Sequence, residues 1–145
     1  MATITASINI GSDISSYPIA ISKTMTMKKA GTSIGLDETL GLKTKKFTST
    51  TAAEIATAAD LTSDGAHKLY VRNASTDKSL FFYVAYNASA AAAATDQTIG
   101  KLYGGDWMLM PYNGSTDINV ASSSATETQY LEYMVFADGV VAAAG

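Results

Sequence analysis

An all-β sandwich is what this 145-residue sequence predicts. Two strand-length runs, residues 80–86 and 130–136, are dense in aromatic and β-branched side chains. Further short runs alternate apolar with polar residues, and Gly, Asn, Asp and Ser divide them at the spacing of sandwich or barrel turns. Nothing in the chain alternates strand with helix in the way that builds a parallel sheet.

Taken in order, residues 3–10 place Ile4, Ala6, Ile8 and Ile10 on one face, which predicts a short strand. Residues 11–18 are turn material. Ile19, Ile21, Met25 and Met27 then share a face opposite Ser22, Thr24, Thr26 and Lys28. This is the clearest alternation in the chain, and Lys23 is its one exception. Residues 30–46 are punctuated by glycine and carry Lys43, Lys45 and Lys46. They predict a loop with a strand entering at Lys43, and residues 47–51 are strand-like by threonine content. Residues 1–50 are therefore expected to form N-terminal strands and a basic extended arm.

Residues 51–61 are the one fair helix candidate, since Thr51 and Glu54 have the spacing of a capping box. Its apolar residues are mostly alanine, so an extended segment fits equally well. Residues 62–65 predict a turn, and residues 67–73 a strand with Leu69 and Val71 opposite Tyr70 and Arg72. Residues 74–78 are expected to close a hairpin to the next strand. That strand is apolar on both faces, with Leu80, Phe82, Val84 and Tyr86 on one and Phe81, Tyr83 and Ala85 on the other. Such a strand belongs mid-sheet, with a core on one side and a second layer or another subunit on the other.

Residues 87–97 carry a run of alanines with no cap and no face, which predicts a flexible loop. Short strands are expected at 98–103 and 107–110 around Gly104-Gly105-Asp106, and Asn113-Gly114 is a strong turn signal. Strands at 117–121 and 128–136 complete the set. Residues 51–138 are thus expected to hold the β-sandwich core, in an order suited to a jelly roll, with residues 139–145 as a tail.

Composition narrows the function. Apolar residues make up 47% and charged residues 16%, which argues against disorder. A net charge of −3 is too mild to imply nucleic acid or an acidic membrane as partner. No cysteine is present, so disulfides, thiolate metal sites and cysteine nucleophiles are excluded. The N-terminus lacks the basic and apolar segments of a signal peptide, and no apolar run reaches the ~20 residues of a membrane span. Asn73, Asn87 and Asn113 begin Asn-x-Ser triplets, read as turn residues. The lysines cluster early, and no basic residue follows Lys101, whereas Asp106, Asp117, Glu127, Glu132 and Asp138 do.

No reaction chemistry stands out. His67 is the sole histidine and reads as a surface or capping residue. Asp60 and Asp64 lack the spacing of a calcium loop, and Gly31, Gly35 and Gly41 that of a phosphate loop. No serine lies in a nucleophile elbow, and no cofactor is implied. Tyr103, Trp107 and Tyr112 surround two turns; packing or a subunit contact is favoured over a sugar platform.

Several segments share a recognisable pattern: HKLYVRN at 67–73, IGKLYGGDWM at 99–108, MPY at 110–112, GSTDI at 114–118 and LEYMVF at 131–136. Together they resemble the capsid cement, or decoration, proteins of tailed bacteriophages and related head and tail components. The resemblance covers roughly the C-terminal half, and residues 1–60 carry none of it. It implies a non-enzymatic virion protein, often a homotrimer, made in the host cytoplasm and bound to the outer capsid surface. Its partners would be the major capsid protein, whose joints it spans, and other copies of itself.

On that reading the interface candidates are Tyr83, Tyr103, Trp107 and Tyr112, with Lys28, Lys29, Lys45 and Lys46 for an acidic capsid surface. One rival is a head-fibre or tail module that binds host glycans through Trp107 and its neighbouring tyrosines. A small glycan-processing enzyme is a more remote one.

Overall fold

The computed structural model describes residues 3–14, 16, 18–86 and 98–141. Among these, strands β1 (Thr5–Ser12) and β2 (Ile19–Thr26) form a two-stranded ribbon. They are followed by β3 (Glu38–Thr39), β4 (Lys43–Phe47), β5 (Ala53–Ala56), β6 (His67–Asn73) and β7 (Phe81–Tyr86). The chain ends with β8 (Thr98–Tyr103), β9 (Trp107–Tyr112), β10 (Ile118–Ser122) and β11 (Gln129–Ala137).

Strands β3 to β11 build a sandwich. One sheet has the order β5-β10-β7-β8. The other runs β3-β11-β6-β9, with β4 pairing on β11 beside β3. The antiparallel pairs nest: β4 with β11, β5 with β10, β6 with β9 and β7 with β8. A long hairpin folded back on itself in this way is a jelly roll. The two most apolar runs occupy the expected places: β7 lies inside the smaller sheet and β11 inside the larger.

Alternation puts one face of each strand into the space between the sheets. Leu69 and Val71 of β6, Leu131 and Val135 of β11, Phe82 and Val84 of β7, and Ile118 and Val120 of β10 meet there. Phe47 and Phe82 join the sheets edge to face, with ring centroids 5.0 Å apart. Each such side chain contributes about 1.5–3 kcal/mol by leaving water. A polar link also crosses, from Gln129 Nε2 of β11 to Ser122 Oγ of β10.

Three expectations give way to tertiary pairing. No helix forms over residues 51–61: Ala53–Ala56 is a strand on β10, and only Ala58–Asp60 makes a 3-10 turn. A helix there had no apolar stripe to bury, whereas the strand buries Ile55 and Ala56. Residues 74–78 do not close a hairpin, because β6 and β7 lie in different sheets. Asn73 Oδ1 accepts from Ser75 N–H, and Asp77 Oδ1 from Ser79 N–H, and these two turns carry the chain across.

Finally, residues 1–50 are not one arm. The basic Lys43–Phe47 segment is a strand of the larger sheet, and the ribbon alone stands apart. The expected loop over residues 87–97 and the end of the tail, residues 142–145, lie outside the described residues. Before that end, Val140 bridges Leu61, and Val141 N–H donates to Asp60 C=O.

Candidate functional site

The ribbon is built by the clearest alternation in the sequence. Its register sets Ala6 against Met25, Ile8 against Lys23, Ile10 against Ile21 and Ser12 against Ile19. Directly opposed residues share a face. One face is therefore aliphatic around a single lysine, and the other holds Thr5, Ser7, Asn9, Ser22 and Thr24.

Neither sheet of the sandwich pairs with the ribbon. Ile8, Ile10, Ile19, Ile21 and Met25 each remain about two-fifths exposed, at 39–44%. A lone two-stranded hairpin is marginal in water, and a contiguous apolar face left on show marks an interaction site.

The base of the ribbon is anchored. Met27 N–H donates to Ile4 C=O, Leu36 N–H to Met27 C=O, and Lys28 bridges Gly35. Met27 and Leu36 are buried outside the inter-sheet core. Ala30 N–H reaches Asp138 Oδ2 at 3.0 Å, which ties this clasp to the end of β11.

Between the ribbon's aliphatic face and β9 runs a groove of about 530 Å³. Ile8, Ile10, Lys23 and Met25 line one wall; Trp107 and Leu109 line the other. Trp107 is 55% exposed.

A second surface lies on the outside of the smaller sheet. Phe81 packs against Tyr83 and Tyr103, each at 5.0 Å between centroids. Lys101 Nζ sits 4.8 Å from the Phe81 ring and 5.5 Å from Tyr83, a cation–π arrangement. Further along that face Ala85 and Ala121 are buried with Ala52 against them.

The predicted interface residues separate. Tyr83 and Tyr103 belong to the aromatic patch, and Trp107 to the groove. Tyr112 is not at a surface: it lies 3% exposed in the core, and its hydroxyl donates to Thr116 C=O at 2.7 Å. Burial first, then the charge of Asp117, pushes its phenol up to about 12. The three aromatic residues thus make no common sugar platform, because β9 directs Trp107 outward and Tyr112 inward.

Lys28 Nζ donates to Ser33 C=O, and Lys29 pairs with Asp37 at 3.2 Å. Lys45 and Lys46 are exposed on β4 at the edge of the larger sheet. Lysines on an edge strand discourage pairing with other chains.

His67 is fully buried rather than exposed. Asp138 N–H donates to its Nδ1 at 2.8 Å, so Nε2 carries the proton and donates to Thr62 C=O at 2.8 Å. Gly114, with φ +75°, comes so close that an added Cβ would lie 2.9 Å from His67 Nε2. The Asp138 carboxylate accepts from Ala66 N–H as well as Ala30 N–H. Burial acts to raise its carboxyl, but those two N–H groups and nearby Lys29 hold it below the usual carboxylate value. The histidine is a staple between the ends of β6 and β11. Among the described residues, no group of three or more His, Asp or Glu is placed to hold a metal.

Sequence reasoning found the aliphatic faces of β1 and β2 but not that they stay exposed, and it did not single out the groove residue Leu109, nor Phe81 and Lys101, as site residues. The signal for the ribbon was present in its alternation; a buried face and a displayed face look alike in a sequence.

No family model matches the chain, and no curated protein does. Among solved structures it is similar to a chain from Bacillus endospore appendages, described as a family of disulfide-linked pili. The identity is 12%, the TM-score 0.40, and the match covers 73% of this chain and 96% of that one. A likeness at that level carries no functional argument, and this chain has no cysteine with which to form such a link.

Proposed function

We propose that the protein is a non-enzymatic structural protein of a tailed-bacteriophage virion, a cement or decoration protein that binds the outer capsid surface across joints between major capsid subunits. The observation that supports the reading best is the aliphatic face of the β1–β2 ribbon, held outside a closed jelly roll by a clasp at its base. A closed sandwich needs no such ribbon for its own core. An assembly protein does, because binding energy in shape-driven contacts comes from apolar area and from many copies acting together.

The test is sedimentation of the purified protein with empty shells of the cognate major capsid protein. Saturable binding at a regular stoichiometry supports cementing; protein that stays in the supernatant at every concentration sinks it.

One observation favours a second reading. The exposed Trp107 indole in an open groove is a surface on which a sugar ring can stack. In that case Trp107→Ala abolishes glycan binding and leaves shells irrelevant, whereas in the cement reading it weakens assembly.

A further inference from the structure

The ribbon's far end carries side chains whose chemistry matches that of the groove beside the ribbon. The tip beyond β1 carries Asp13 and Ile14. Ile14 is 84% exposed, the most exposed large apolar side chain among the described residues. Its backbone N–H donates to Ser12 Oγ at 3.2 Å. In the groove, Lys23 is a cation set in an aliphatic wall. Neither Asp13 nor Lys23 has a side-chain hydrogen bond or ion pair among the described residues. The tip thus presents an apolar side chain beside a carboxylate, and the groove presents an apolar slot beside an ammonium.

We infer that the ribbon tip of one copy docks in the ribbon–β9 groove of a second copy, with Ile14 in the apolar slot and Asp13 on Lys23. The contact cannot form within one chain. Ser12 pairs with Ile19, and Lys23 lies four residues further down β2. At about 3.4 Å per residue that is on the order of 14 Å along a paired ribbon. An ion pair needs about 4 Å.

Tip into groove joins two different surfaces, so the contact is head to tail. Such contacts close into a ring when the rotation permits and otherwise propagate as a chain. The inference rests on the ribbon being an assembly arm and is independent of what the assembly covers.

Light scattering over a concentration series tests it, with circular dichroism to confirm folding of each variant. The wild-type chain is expected to associate. Ile14→Ser is expected to weaken association at least about tenfold, as loss of a buried isoleucine does. Asp13→Lys or Lys23→Asp alone weakens it about fivefold, the scale of one exposed ion pair, and the double reversal restores it. An equimolar mixture of the two single reversals associates where each alone is weak, since both tip–groove pairs between the two variants are then complementary.

A wild-type chain that stays monomeric overturns the inference. So does association unchanged by Ile14→Ser and by both reversals, or variants that lose shell binding while their self-association is intact. Shell sedimentation separates the two proposals. A monomer that saturates shells removes this contact and leaves the cement reading. A ring that ignores shells does the reverse.

Discussion

The sandwich and the ribbon are made of the same material and end in opposite states. Both are antiparallel strands with alternating side chains. Leu69 and Val71 of β6 are fully buried, whereas Ile8 and Ile21 of the ribbon are each 41% exposed. The difference is not local propensity, since β-branched residues serve both. It is the second layer. Each sandwich sheet covers the other, and nested pairing leaves the inner faces dry. The ribbon has two strands, no covering sheet, and only Trp107 and Leu109 across an open groove. Stability therefore resides in the sandwich, while the ribbon's aliphatic face stays part exposed.

The largest effect that sharpens this contrast is in the core. Phe82 is fully buried and packs on Phe47 across the sheets. Phe82→Ala is expected to cost about 3–5 kcal/mol, read by denaturant or thermal unfolding. A loss below about 1 kcal/mol would mean that the two sheets do not share one cooperative core.

A smaller effect lies at the sandwich end and depends on pH. The Tyr112 phenol is raised to about 12 by burial and by Asp117. The unfolded chain gives up this proton near the ordinary value of about 10, before the folded chain does. Between those values the unfolded state binds fewer protons, so stability falls as pH rises from about 10 towards 12. Tyr112→Phe is expected to cost about 1 kcal/mol at neutral pH, through the lost bond to Thr116 C=O, and to flatten the alkaline decline. Equal alkaline slopes in the two proteins would show that Tyr112 ionises as freely folded as unfolded.

What the sequence revealed follows the same division. The aromatic runs at β7 and β11 were legible because a strand apolar on both faces has few places to go but mid-sheet. The turns at Gly104-Gly105-Asp106 and Asn113-Gly114 were legible because positive φ at Gly105 and Gly114 demands glycine. The sheet to which each strand belongs was not legible. A turn such as residues 74–78 can close a hairpin or cross to the other layer, and the outcome is set by the distant partners of β6 and β7, which lie in different sheets. Nor did the chain advertise His67 as buried, since the groups that satisfy its ring, Thr62 C=O and Asp138 N–H, are backbone atoms distant in sequence. Which of the aromatic candidates reach the surface was not legible for a related reason. Tyr83 and Trp107 fall on outward faces and Tyr112 on an inward one, which depends on strand register.

The smallest effect on stability is expected in the ribbon, and it tests the division most directly. Ile21 pairs with Ile10 in the aliphatic face. Ile21→Thr keeps a β-branched side chain suited to a strand while making that position polar. Because Ile21 is already two-fifths in water, unfolding stability should change by no more than about 0.5 kcal/mol. Self-association measured by light scattering should fall if the face is covered by another copy. A stability loss near that of Phe82→Ala would give the ribbon a different meaning. Its aliphatic face would then be closed over Trp107 and Leu109 in the free protein, as a third layer of the fold. Assembly would in that case have to open the ribbon first, and the energy of that opening would be subtracted from every contact it makes.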